Sequence, residues 1–111
     1  MPALTWSEFA RIEMYVGTIL SAAAFPEARQ PAYLLRIDFG PQGIRKSSAQ
    51  ITDQYTLADL PGRQVIAVLN FPPKQIANHQ SECLVLGTVG EQNLVTLLQP
   101  ERPVPNGLRV G

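Results

Sequence analysis

The run Val65-Ile66-Ala67-Val68-Leu69 is apolar at every position. A strand built from it has no polar face to turn to water. Its length and its β-branched content suit a buried strand. Pro72-Pro73 ends the strand, because neither proline donates to a ladder and each restricts the residue before it. The chain becomes apolar again along Cys83-Leu84-Val85-Leu86. Two such strands predict a closed or strongly curved sheet whose interior takes one face. The other face needs cover from the terminal segments or from a second copy of the chain. The proline-stiffened loop between the two strands carries Lys74, one of only two lysines, a placement suited to contacting an anion.

With 111 residues the chain is read as a single domain over 1–111. A domain of this size buries roughly 65% of its unfolded surface. No apolar run reaches the length of a membrane-crossing helix, and no basic-then-apolar leader opens the chain. The expectation is therefore no membrane insertion. A single cysteine, Cys83, excludes an intrachain disulfide and suits a reducing cytoplasm. The net charge is zero but uneven. Arg29, Arg36, Arg45, Lys46, Arg63 and Lys74 face only Asp38, Asp53 and Asp59 in the middle of the chain, and both ends are acidic. A modest basic centre fits a structured RNA or an acidic peptide; it is too weak to grip nucleic acid by charge alone.

Thr5-Trp6-Ser7-Glu8 reads as a capping box that opens a short helix. Ile12, Met14 and Val16 alternate with polar partners, and beyond Gly17 the alternation shifts phase at Ile19 and Ser21. This predicts a long first strand with a bulge or close approach at Gly17. Tyr33, Leu35, Ile37 and Phe39 form the apolar face of a second strand, opposite Arg36 and Asp38. The third strand, Ile44 to Ile51, is so polar that one face must meet water or a polar ligand. Thr56 to Leu60 is a capped helical turn, strands four and five run about Arg63–Leu69 and Glu82–Thr88, and a further strand spans Leu94–Leu98. A loop-like tail, Pro100–Gly111, follows. Five strands with a small helix after the third predict an all-β OB-fold, a five-stranded Greek-key barrel with short flanking helices and terminal extensions.

Four segments, Phe9–Ile19, Phe25–Tyr33, Lys46-Ser47-Ser48-Ala49-Gln50-Ile51 and Asn70-Phe71-Pro72-Pro73-Lys74-Gln75-Ile76, resemble in order the tRNA-binding OB domain. That domain is also appended to methionyl- and tyrosyl-tRNA synthetases. With Ser81-Glu82 and the ending Val104-Pro105-Asn106-Gly107, the strings are similar to the CsaA-type secretion chaperones within that family. Synthetase-type members carry a methionine where this chain has Leu84. The resemblance implies a homodimer built by terminal extensions, tRNA binding, and binding of unfolded or exported polypeptides, with the export machinery as a further partner. Carried over position by position, the family's polar surface falls on Arg36, Lys46, Ser47, Asn70, Lys74, Ser81 and Glu82, to which the exposed apolar candidate Phe71 is added.

Catalysis has little support. His79, the one histidine, has no cysteine or carboxylate at ligand spacing, and no nucleophile elbow or Gly-rich phosphate loop occurs. No cofactor or metal is expected. His79 is read as a surface imidazole, Cys83 as a small packed hydrophobe, and Tyr15 and Tyr55 as half-exposed rings able to stack a base. Two functions remain open. A dedicated tRNA-binding factor should concentrate positive charge, whereas a chaperone needs apolar grooves with a few polar groups. Phe71, Pro72, Pro73 and Ile76 beside Lys74 favour the chaperone.

Overall fold

The computed structural model describes all residues, 1–111, as a curled antiparallel sheet with hairpins at its open side. Helix α1 (Trp6–Ala10) opens the chain, with both reciprocal bonds of the Thr5–Glu8 capping box present. Strand β1 (Met14–Ala24) follows, then β2 (Tyr33–Asp38), β3 (Ile44–Ala49) and β4 (Gln64–Val68). A one-turn 3-10 helix, Leu57–Asp59, sits between β3 and β4 and is capped by Thr56 and Asp59, as the sequence predicts. Next come β5 (Lys74–Ile76), β6 (His79–Ser81), β7 (Leu84–Val85), β8 (Gly87–Val89), β9 (Val95–Leu97) and, in the tail, β10 (Arg109–Val110).

The main sheet runs β3-β2-β1-β4-β7, and β10 joins β1. This is the nearly closed barrel expected of an OB-fold. Its core is Ile19, Leu35, Ile37, Phe39, Ala49, Ile51, Leu60, Val65, Ala67, Leu69 and Cys83. The predicted inward face of β2 is the observed one: Leu35, Ile37 and Phe39 are fully buried while Arg36 is exposed.

The first half of β1 pairs with β4, from Met14↔Val68 to Thr18↔Gln64. Its second half pairs with β2, and the register slips between Ile19 and Ser21. The bulge therefore lies at Leu20, not at Gly17. Gly17 instead is a close approach, since a Cβ there would lie 2.6 Å from the Phe39 ring and 2.7 Å from Ile37. The phase shift in the sequence marks the bulge, and the glycine marks the crowding three residues earlier.

Other expectations shift in detail. The fifth strand divides at Leu86 into β7, which joins the barrel, and β8, which leaves it as a hairpin with β9. The segment read as a loop around Lys74 contains β5, paired with β6 through Lys74↔Ser81 and Ile76↔His79. Its turn has Ala77 at φ 49°, where a glycine would have advertised a hairpin. The tail is not merely a loop. Val16 and the tail exchange bonds at 3.0 and 2.8 Å (Val16 N–H to Leu108 O, Gly107 N–H to Val16 O). Gln64 and Thr18 both bond Asn106 Oδ1. Gly107 sits at φ 91°, and a Cβ there would lie 2.6 Å from Pro41 and 2.7 Å from the Phe39 carbonyl oxygen, a position no side chain fits. The tail thus covers part of the outer face of β1 and β4.

Replacing Gly17 with valine forces methyl groups onto two core side chains that have no free space. Overpacking of this kind costs about 1–3 kcal/mol. Urea unfolding of Gly17→Val should show a lowered midpoint at unchanged slope, and an unchanged midpoint would remove the close-approach argument.

Candidate binding site

The polar third strand presents two different aspects. On its outer face Lys46 stands directly opposite Arg36 of β2, and both are exposed. Neither meets a carboxylate, since the chain's one ion pair joins Arg102 to Glu101 at 2.7 Å. Like charges directly opposite each other on a sheet destabilise it. The pair is therefore a standing cost that an anion would relieve. Ser21 of β1 continues the same cross-strand row.

At its edge, β3 is fastened to the segment leading into β7. Ser47 Oγ, 1% exposed, donates to Cys83 O at 3.0 Å. Ser81 Oγ accepts the Ser48 N–H at 3.1 Å. Glu82 bonds Lys46 twice, donating its backbone N–H to Lys46 O at 2.8 Å and accepting the Lys46 N–H on Oε1 at 3.0 Å. Ser47 thus lies beneath the surface, while Ser81 and Glu82 hold β3 in place and are half-buried. Asn70 is exposed, but its amide clamps the start of β1 to the end of β4. It accepts from Glu13 N–H at 3.1 Å and donates to Arg11 O at 2.6 Å.

Beyond Ser48 the fastening stops, and an open groove of about 590 Å³ lies there. Phe71, Pro72, Lys74, Ile76 and Ser81 line it, as the sequence predicts for the apolar stretch beside Lys74, together with Leu84 and Val89, which the sequence does not mark as binding residues. Phe71 is 56% exposed and Val89 70% exposed. Lys74 is the one charged side chain along the lining. The predicted residues therefore divide into an outer cationic pair (Arg36, Lys46), a groove set (Phe71, Lys74, Ser81), and Ser47, Asn70 and Glu82, whose polar groups bond the backbone.

The remaining candidates are committed elsewhere. Cys83 lines the groove from the barrel side, and burial pushes its thiol up to about 11, so it stays protonated. Tyr33 Oη donates to Tyr55 O, and Tyr55 Oη accepts from Leu97 N–H while Arg63 lies 5.2 Å over its ring. Tyr15 lies under Arg109 at 5.8 Å. No tyrosine is free on the Arg36–Lys46 face to stack a base. His79 is not a plain surface imidazole. Its ring packs edge-on against buried Phe25, 5.6 Å between centroids, and Nδ1 is enclosed without a partner. No group of three or more metal-ligating side chains comes together.

Residues 14–109 match a family model described as "Putative tRNA binding domain". The chain belongs to this family. It is 46% identical to the chaperone CsaA of Bacillus anthracis str. Ames. The two superpose with a TM-score of 0.95 over 99% of this chain and all of that one. The CsaA chaperone protein of Picrophilus torridus is 44% identical, with a TM-score of 0.90 over 98% of this chain and all of that one. Among enzymes, the methionine–tRNA ligase of Methanococcus aeolicus is 33% identical over 90% of this chain and 14% of the ligase. The chain spans about 15% of the length of the curated relatives it matches.

His79 supplies a pH test. Burial lowers its pKa, nearby Lys46 lowers it further, and Glu82 partly opposes them. The unfolded chain therefore binds the proton more readily, and stability is lost as pH falls from about 6.5 through the lower folded value. Thermal unfolding at pH 8 and pH 5 should show a smaller acid loss for His79→Gln than for the unmutated protein. Equal losses would mean that this imidazole does not titrate against the fold.

Proposed function

We propose that this protein is a non-enzymatic, CsaA-like chaperone that binds unfolded or exported polypeptides and keeps a separate tRNA-binding surface. The observation that carries this reading is the apolar groove with a single lysine on its lining, open beside the barrel. A polypeptide site needs apolar lining and few charges. Full-length likeness to two CsaA chaperones supports it. The partners on this reading are tRNA, unfolded clients and the export machinery, and the place of action is the cytoplasm, where tRNA and unexported chains coexist. The outer pair Arg36 and Lys46 is the tRNA contact, acting on phosphates, because no free aromatic ring accompanies it.

The alternative, a dedicated tRNA-binding factor, is favoured by that uncompensated cross-strand pair and by the methionine–tRNA ligase relatives. Affinities for tRNA and for reduced, carboxymethylated α-lactalbumin separate the two. On the chaperone reading, Phe71→Ala weakens the unfolded client and leaves tRNA unchanged. Arg36→Ala and Lys46→Ala each weaken tRNA and flatten its log–log salt slope by roughly one unit, as loss of one phosphate contact requires. Failure of the unmutated protein to bind the unfolded client leaves only the tRNA factor.

The homodimer belongs to the same proposal. Trp6 (88% exposed), Leu4, Ile12 and Leu108 remain uncovered near the place where Arg109 bonds Ala10 O and Ile12 O, tying α1 to the tail. Apolar surface of this kind at two adjoining termini suits a second copy. Sedimentation at micromolar concentration should report a dimer that Trp6→Ser weakens, whereas a stable monomer of the unmutated protein would sink the assembly.

A further inference from the structure

The groove is walled in two ways. A strand viewed on its face presents alternate residues, whereas one viewed on its edge presents consecutive ones. Ser48, Ala49, Gln50 and Ile51 line the groove consecutively, and so do Cys83, Leu84, Val85 and Leu86. Lys74 and Ile76 of β5, and Gly87 and Val89 of β8, line it alternately. Two strand edges therefore confront each other across the groove, and two hairpin faces flank them.

The two edges are the unpaired ends of the main sheet, β3 and β7. Beyond the Ser48 N–H, which Ser81 occupies, no backbone bond reaches the β3 edge from β7. On the β7 side, Leu86 N–H bonds Ile66 O of β4, so by alternation the Val85 N–H and C=O point away from β4 and toward the groove. An exposed sheet edge of this kind is a template for another strand.

We propose that the groove takes an extended polypeptide segment as an added strand along the free edge at the C-terminal end of β3, from the Ser48 C=O to Gln50, on the open side of the seam. Its alternate apolar side chains enter between Ile76 and Val89, and a carboxylate of the segment meets Lys74. The apolar lining selects the side chains, the bare backbone edge selects an extended main chain, and the single cation selects the charge. Clients on this mode are unfolded segments of β-forming, apolar-alternating sequence, because a helix offers its partner no free backbone groups. The inference rests on the polypeptide-binding reading above and specifies how that site works.

The probe is a fluorescent peptide of about seven alternating valines and threonines with a free terminal carboxylate. Two further versions are N-methylated at odd or at even positions. The parent peptide should bind. Methylation in at least one phase should lower affinity by about tenfold or more, since it removes main-chain donors and leaves side chains intact. Gln50→Pro, which removes a donor just past the end of β3 on the same edge, should lower affinity similarly. Amidating the peptide's terminus should weaken binding to the unmutated protein but not to Lys74→Ala. Equal affinity for the parent and both methylated peptides overturns strand addition, whatever Gln50→Pro does to folding. Binding of carboxymethylated α-lactalbumin without binding of the peptide also overturns it, and leaves the chaperone reading standing. Binding of neither ligand removes that reading and this inference with it.

Discussion

Strand β1 is hydrogen-bonded to three other strands, and everything else in the molecule is placed by that arrangement. Its first half lies in register with β4 and β10, its second half with β2, and Thr18 pairs with both Gln64 and Asp38 at the handover. A straight strand of eleven residues would hold a flat sheet. The slip at Leu20 increases the local twist, so that β2 and β3 swing round toward the far side of β4. Gly17 makes the curl possible from inside, since the Phe39 ring and Ile37 occupy the space a side chain would need. The outer side is then available to the tail, which Gln64, Thr18 and the Val16 backbone hold down.

The curl brings β3 toward β7 without joining them. What joins them is a short polar fastening, in which a fully buried serine hydroxyl, a second hydroxyl and a glutamate bond main-chain groups across the gap. Every one of these polar groups has a partner, so the fastening carries little of the penalty of a buried unsatisfied group. It is also brief. Past Ser48 the next residues toward the groove are apolar or uncharged, and the two hairpins lean over an opening rather than over a sealed core. The barrel is closed by these side chains and one main-chain bond, Glu82 N–H to Lys46 O, at one end of the seam and left open at the other.

Much of this was legible in the residues, and the exceptions share a cause. The Thr5–Glu8 box and the Tyr33–Phe39 alternation are signals completed within a few positions, and the structure has both. The broken alternation marks a bulge and Gly17 a bulge or a close approach; the structure has the close approach at Gly17 and the bulge at Leu20, because a sequence shows where alternation fails and not which residue is squeezed out. The β5–β6 hairpin was invisible, since its turn uses an alanine in a left-handed conformation in place of the usual glycine. At the site, the polar character of Ser47 and Asn70 was plain, yet their partners lie 36 and nearly 60 residues away. A polar residue whose bonds are that distant reads in sequence like one waiting for a ligand. Lys46 and Arg36 fall on adjacent strands, as the sequence predicts, because pairing of consecutive strands needs only a short turn.

On the proposed function, one strand serves two ligands because a strand has faces and an edge, and these do different chemistry. The outer face of β3 offers Lys46 to a phosphate, in a row that also holds Arg36. The edge offers main-chain groups to another main chain, starting two residues later at Ser48. Glu82 stands at the junction, bonded to the Lys46 backbone on both sides. This carboxylate lowers the local positive potential where the cationic face meets the groove, which confines phosphate attraction to the Arg36 side. An RNA backbone gains little in the groove, whose lining holds one lysine among mostly apolar neighbours, and an apolar polypeptide gains little on a face with two exposed cations outside any ion pair. Separation of the two ligands thus follows from which aspect of a single short strand each one needs, with no second domain required to keep them apart.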